Sequence, residues 1–232
     1  LLADLAAQEI TADGRRAQII VVDGGSHDLT SAIAEEAGAE CLTATRNRGA
    51  QIAAGAAIAK GDVLFFLHAD CRLAPGSLAA IEFALAQEPA APGGNFRLLF
   101  NGDDSFSRWL NGFYAFIRRC GFYYGDSGVF VRRQIYDTLG GVRPLAVMED
   151  HDFNRRLERA GRTLMIADPP LRTSSRKFTG RRPLAIVTGW LILHALFHLG
   201  VPNHHLARLY YPKGWWPARR TAHQRTPLSD QS

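Results

Sequence analysis

An α/β fold, with a mostly parallel central sheet flanked by helices, is what three features of this chain predict. Short apolar runs alternate with Ala-rich or amphipathic stretches at the spacing of β-α-β units. Two of those runs, at 17–22 and 62–67, lead into the carboxylates Asp23 and Asp70, where open α/β sheets bind ligands. The chain is 232 residues long and 47% apolar, enough for one domain with a small appendage.

Residues 1–8 read as the end of a helix. AQIIVV at 17–22 is a strand entering the tight turn Asp23-Gly24-Gly25-Ser26. A helix at 30–37 is opened by Asp28 and Thr30, a short strand covers 40–43, and an Ala-rich helix at 49–59 stops at Lys60-Gly61. DVLFFL at 62–67 reads as a strand buried on both faces, and a helix at 76–87 has Pro75 near its start. From Gly93 the rhythm changes: a strand at 94–100, an aromatic helix at 105–119, a strand at 128–132, and a helix at 134–139 broken by Gly140-Gly141. A helix at 150–159 sets Phe153, Leu157 and Ala160 on one face, and 163–167 is the last strand before Pro169-Pro170. The main domain therefore spans 1–182, and 183–232 adds an apolar helix and a basic tail.

The 18 residues at 184–201 are strongly apolar. As a helix they extend about 27 Å, near the lower limit for a bilayer. Thr188, Gly189, His194 and His198 interrupt them and Arg181-Arg182 precede them, so a helix packed on the domain or lying on a membrane is favoured over a spanning one. His194 and His198 share one helix face but lack the Glu of a metalloprotease motif, and read as packing residues. Residues 1–171 hold 17 Lys/Arg and 21 Asp/Glu, whereas 172–232 hold 10 Lys/Arg and one acid. The basic tail should meet something anionic, phosphate, lipid headgroup or nucleic acid, or is simply solvated; with the apolar helix it suggests a protein peripheral at the inner face of the membrane, and the cysteine usage a cytoplasmic setting. No pattern calls for nucleic acid. Three scattered cysteines without a Cys-x-x-Cys pair exclude a disulfide framework and a zinc knuckle.

Four clusters carry chemistry. The carboxylate of Asp23 suits a ribose hydroxyl or base N–H, and Gly24, Gly25 and Ser26 let a ligand approach the backbone. A Gly-x-Gly-x-x-Gly fingerprint is absent there, which excludes a nicotinamide cofactor. Arg46-Asn47-Arg48-Gly49 opens a helix and could take phosphate. His68-Ala69-Asp70 follows the buried strand; on an extended backbone His68 and Asp70 project to the same side, where a buried Asp70 would hold Mg²⁺ or Mn²⁺ on a diphosphate. The alternative is that Asp70 caps the next helix. Met148-Glu149-Asp150-His151-Asp152 crowds three carboxylates at a helix start: ordinary caps, or a general base with a raised pKa.

In order, VVDGGSHDLT, the helix after Arg48, FLHAD and MED resemble the family 2 glycosyltransferases of the GT-A fold. RGAQIAAGAAIAKGDVLFFLHADCRLAPGSL, GGNFRL, YGDSGVFVRRQIYDTLGG and MEDHDFNRRLERAGR are similar to the bacterial radical-SAM and selenodomain-associated, arsenosugar-biosynthesis-like subgroup. The resemblance covers about residues 15–210. It implies a GT-A nucleotide-diphospho-sugar transferase fold and an inverting transfer from a nucleotide-diphosphate sugar to a hydroxyl acceptor. It also implies that Asp23 contacts the nucleoside, Asp70 ligates a divalent metal on the diphosphate, Asp150 is the base, Glu149 assists, and Gly125 and Asp126 border the acceptor. His68 stands where the family's first Asp-x-Asp acid would be, and a first strand with a Pro-x-x-Asn-Glu-like turn is expected before Leu1. The processive Gln-x-x-Arg-Trp motif is missing, with Arg172 and Arg176 only loose substitutes, so a single transfer is expected. The rival readings are a sugar nucleotidyltransferase and a non-catalytic membrane- or anion-binding module.

Overall fold

The computed structural model describes residues 1–8, 16–102, 104–174 and 183–211. The tail beyond 211, Arg176 and Arg181-Arg182 lie outside the described residues. In chain order the elements are α1 (Leu2–Ala6), β1 (Ile20–Asp23), α2 (Thr30–Glu36), β2 (Glu40–Thr43), α3 (Arg48–Ile58), β3 (Val63–Phe66), α4 (Ser77–Gln87) and β4 (Gly93–Asn101). They continue with α5 (Ser105–Arg119), a 3-10 turn (Gly125–Ser127), β5 (Val129–Arg132), α6 (Arg133–Thr138), α7 (Glu149–Ala160), β6 (Leu164–Ser174), α8 (Pro183–His198) and α9 (Asn203–Tyr210).

Parallel pairing holds for β1 with β2 and for β4 with β6. β5 departs from the expected parallel direction: it lies between β3 and β4 in the order β3-β5-β4-β6 and runs antiparallel to both. The sheet is therefore mixed, and Phe66 at the end of β3 faces Val129 at the start of β5. That register puts the turn after β3 beside the turn before β5.

Side-chain alternation builds a core on each face. Val63, Phe65 and Phe130 point one way, with Phe96, Leu171, α4 residues Ile81 and Leu85, and α5 residues Leu110 and Tyr114. Leu64, Phe66, Val129 and Val131 point the other way, toward Ala56 of α3, Tyr136 of α6, and Phe153 and Leu157 of α7. α5 starts where the Asp104 carboxylate accepts the N–H groups of Phe106 and Ser107 at 2.9 and 3.0 Å. β6 continues past 167 through Pro169-Pro170 to Ser174: its pairing with β4 passes from Phe96–Ile166 to Leu98–Leu171 across a register shift, and both prolines fall in that irregular stretch, where no ladder partner needs their missing N–H.

α8 packs on the domain: Ile186 and Leu193 are buried, and Trp190 stacks on Phe113 of α5 at 5.8 Å. Leu184, Leu191 and Leu199 remain exposed. No helix of the described residues is long and apolar enough to cross a membrane. α9, which periodicity did not single out, buries Leu206 and Ala207 against Val147, Met148 and Leu193.

Truncating fully buried Leu157 to Ala should lower unfolding free energy by about 2–5 kcal/mol. Leu191→Ala, on the exposed side of α8, should stay within about 0.5 kcal/mol. Urea denaturation of the two variants reads this contrast.

Candidate active site

The site assembles where α3 and α7 begin. Asn47 ends its extended stretch with a side-chain oxygen that accepts the Ala50 N–H at 2.9 Å, which starts α3 and aims Arg48 at α7. α7 starts differently. Met148 sits in the left-handed region at φ 65°, the one non-glycine residue to do so among the described residues, and no side chain caps the helix. Its side chain is buried, and Asn203 at the start of α9 braces the preceding strand of chain. The Asn203 carbonyl oxygen accepts from Ala146 N at 2.6 Å and Val147 N at 3.3 Å, while its amide donates to Val147 O at 2.7 Å. A non-glycine residue held in this conformation marks over-determined surroundings.

None of the three acids holds the N-cap position of α7, which is Met148. Arg48 Nε donates to the buried Glu149 carboxylate, and Arg48 Nη2 lies 3.5 Å from Asp150 Oδ2. Asp152 pairs instead with Arg143 at 3.0 Å and Arg156 at 2.8 Å. Asp150 Oδ2 also accepts the Gly125 N–H at 2.9 Å, and Oδ1 accepts the His151 N–H at 2.8 Å. Burial opposes ionisation of Asp150, but Arg48 and those N–H groups outweigh it and hold the carboxyl below the usual range. Glu149 goes the other way: burial, then the neighbouring Asp150 charge, push it up against the pull of Arg48. The pair thus divides into one strongly ionised carboxylate and one more readily protonated carboxyl.

Close backbone approaches tie this cluster to the other predicted residues. A methyl group at Gly49 would lie 2.3 Å from the Arg143 carbonyl oxygen and 3.2 Å from Glu149 Cβ, so α3 and the 143–149 segment meet only through glycine. A methyl at Gly125 would lie 3.3 Å from both Asp150 Cβ and His68 Nε2, which puts His68 beside the carboxylates. One at Gly24 would meet Gln51 Nε2 at 3.2 Å and Arg46 at 3.4 Å, which seats the Asp23 turn on the chain leading into α3. There Asp23 accepts from Gly25 N at 3.0 Å, Ser26 N at 2.8 Å and Ser26 Oγ at 2.6 Å. The Ser26 bonds, followed by the other turn N–H groups, hold it below the usual range. A carboxylate has about four acceptor directions, so the turn leaves room for a further donor.

Several expectations change. β3 ends at Phe66, and 68–70 form a turn closed by Cys71 N–H to His68 O at 3.0 Å; the alternation argument for His68 and Asp70 therefore does not apply. Asp70 is exposed rather than buried, alongside exposed Ala69, and it makes no hydrogen bond or ion pair with a described residue. It is not the cap of α4 either, since Gly76 holds that position. Asp126 turns inward, buried and accepting from Tyr114 OH at 3.2 Å, so it lies behind the site and Gly125 alone faces it. Arg48 is engaged by the acids, which leaves exposed Arg46 as the uncommitted guanidinium of that loop. For a divalent ion the free Asp70 carboxylate fits: Mg²⁺ or Mn²⁺ needs one or two protein oxygens and fills its shell from diphosphate and water.

Sequence reasoning missed Asn203 and Tyr211. Tyr211 follows α9, and its phenol, pushed up by burial, is within electrostatic reach of Arg48, Glu149 and Asp150. Only Pro202 ahead of the amphipathic NHHLARLY stretch signalled a helix there.

The α/β sheet with these strand-end turns has the GT-A glycosyltransferase fold, and solved structures share it. A Pyrobaculum calidifontis mannosyltransferase, PcManGT, in complex with GDP-Man and Mn²⁺, aligns with a TM-score of 0.60 at 17% identity over 86% of this chain and 58% of its own. Residues 1–349 of S. aureus TarS give 0.59 at 16% over 90% of this chain and 64% of that fragment. Mycobacterium tuberculosis glucosyl-3-phosphoglycerate synthase, with Mn²⁺, UDP and glucosyl-3-phosphoglycerate, gives 0.56 at 17% over 87% and 75%. This chain thus spans little more than half of the mannosyltransferase. No curated protein matches it in sequence. The glycosyl transferase family 2 model matches residues 1–136, and the chain belongs to that family.

Removing Arg48 leaves two buried carboxylates facing each other. Arg48→Met should cost about 1–3 kcal/mol, read by urea denaturation at neutral pH. Asn203→Ala, which leaves the Val147 carbonyl and two N–H groups without their partner, should cost about as much.

Proposed function

We propose that the protein is an inverting, single-transfer glycosyltransferase that moves a sugar from a nucleotide-diphosphate donor to a hydroxyl acceptor. The observation that carries this reading is the contact across Gly125. It sets an ionised, hydrogen-bonded Asp150 next to the His68 turn that bears the unpaired Asp70. The order of motifs supports membership of the arsenosugar-biosynthesis-like bacterial subgroup. The GDP-Man, UDP and Mn²⁺ in the related structures support a nucleotide-sugar donor and a divalent metal.

In this mechanism Asp150 accepts the acceptor's hydroxyl proton as its oxygen attacks the anomeric carbon opposite the leaving group. Ionisation at neutral pH makes it ready to do so, and the Gly125 N–H and Arg48 fix its direction. Glu149 keeps Arg48 in place. Asp23, with Gly24, Gly25 and Ser26, receives the nucleoside. Arg46 and the free N–H groups opening α3 at Arg48 and Gly49 face the diphosphate. Asp70, with His68 and Ala69 in its turn, would hold the divalent ion, which when bound offsets charge on the departing diphosphate. The outward Leu184 and Leu191 of α8 and Leu199 just after it, with the basic C-terminal segment, support peripheral contact with anionic membrane.

Asp150→Asn should reduce kcat by orders of magnitude while nucleotide affinity stays within a few-fold; near-normal turnover would refute the base assignment. Asp70→Ala should abolish the Mn²⁺-dependent part of nucleotide binding in calorimetry, and unchanged affinity would remove its metal role. A nucleotide-sugar thermal-shift screen finds the donor, since ligand at about 100 times Kd stabilises by roughly 2.7 kcal/mol. Pyrophosphate release from a nucleoside triphosphate and sugar phosphate would instead mark a nucleotidyltransferase.

A further inference from the structure

Three histidines converge beside the carboxylates, and sugar transfer uses none of them. His194 and His198 lie one turn apart on α8, and the fold adds His151 from the first turn of α7. His151 Nε2 is 3.3 Å from His198 Nε2, and the His151 and His194 ring centroids are 4.3 Å apart. One ring nitrogen from each of the three lies within 4.8 Å of the other two. We propose that His151, His194 and His198 form a binding site for a late first-row divalent ion, Zn²⁺ by ligand preference, separate from the ion that Asp70 would hold.

Distance is the first argument. A tetrahedral zinc ion with Zn–N bonds of about 2.0–2.1 Å spaces its ligand nitrogens about 3.3–3.4 Å apart, which is the separation of the His151 and His198 Nε2 atoms. Without an ion, two imidazole nitrogens facing each other at that distance need a proton between them. Ligand type is the second. Three imidazoles suit zinc, copper or nickel, whereas the lone exposed carboxylate of Asp70 suits Mg²⁺ or Mn²⁺.

The rings are also held from outside. The Tyr124 hydroxyl is hydrogen-bonded to His194 Nε2 at 2.9 Å. Phe122 lies parallel to His151 with an interplanar angle of 4°, and Phe197 meets His151 edge-on. Outer partners of this kind orient ligating rings. The charged groups that act on His151 are Asp150, Arg155 and the other two histidines. Burial, followed by His194 and His198, holds its pKa down at about 4, and burial depresses His194 as well. His151 is buried, His194 half-buried and His198 exposed, so the fourth position opens to solvent. An ion there would staple α8 to the start of α7 and add positive charge beside Asp150.

The test uses the full chain without an affinity tag, stripped by a chelator and titrated with Co²⁺, whose visible absorption is intense only when four-coordinate. A single equivalent should give that absorption, and Zn²⁺ should displace it. His194→Gln and His198→Gln should each weaken Zn²⁺ by about 100-fold or more, at or beyond the loss an outer partner brings. Asp70→Asn and His204→Gln should leave it unchanged. Circular dichroism checks that each variant is folded; exposed His198 is the substitution least able to disturb packing. The proposal is overturned if the native protein gives no such absorption. It is equally overturned if a folded His194→Gln/His198→Gln double variant keeps the absorption, or if Asp70→Asn loses it.

Discussion

Two adjacent carboxylates, Glu149 and Asp150, are drawn into the protein at the start of α7, and Arg48 is the cation that makes this tolerable. Charges taken out of water need partners within hydrogen-bonding distance, and a helix N-terminus alone does not neutralise two of them. Much of the local architecture serves that meeting. α3 must bring its first residue against α7, which requires glycine at 49 because the Arg143 carbonyl fills the space of any side chain. The chain from 143 to 148 must turn sharply, which puts Met148 in a left-handed conformation, and Asn203 with the apolar face of α9 holds it there. The charge difference between the two acids is thus a product of packing 101 residues apart in sequence.

Sheet topology supplies the other half of the site. Because β5 runs antiparallel to β3, the carboxyl end of one strand adjoins the amino end of the other. His68 and Gly125 are thereby neighbours, and the Gly125 N–H points at Asp150. A wholly parallel arrangement would have carried the turn before β5 to the opposite edge. The mixed sheet is therefore part of what couples the Asp70 turn to the carboxylates.

Local chemistry made much of this legible in sequence. The helix at Ser105–Arg119 and the strand at Glu40–Thr43 have the expected bounds, and for the helix the Asp104 cap marks its start locally. The Asp23 turn also follows from residue type, whereas the close approaches at Gly49 and Gly125 depend on the tertiary fold. What did not follow depended on distant partners. β6 runs through two prolines because its ladder with β4 shifts register there. α9 is short and polar apart from the face it buries, so periodicity said little. Asp70 was expected to be buried because DVLFFL looked like a strand reaching it, whereas the backbone turns at His68. The histidine cluster was half visible as an i, i+4 pair, and only the docking of α8 on α7 brings in His151.

The division of the carboxylate pair by Arg48 is the claim on which the site depends, and side-chain carboxyl NMR titration measures it directly. Asp150 should titrate below the ordinary carboxylate range and Glu149 above it. In Arg48→Met the Asp150 transition should move up and the splitting change. Two ordinary titrations in the native protein, unaltered by loss of Arg48, would contradict the account.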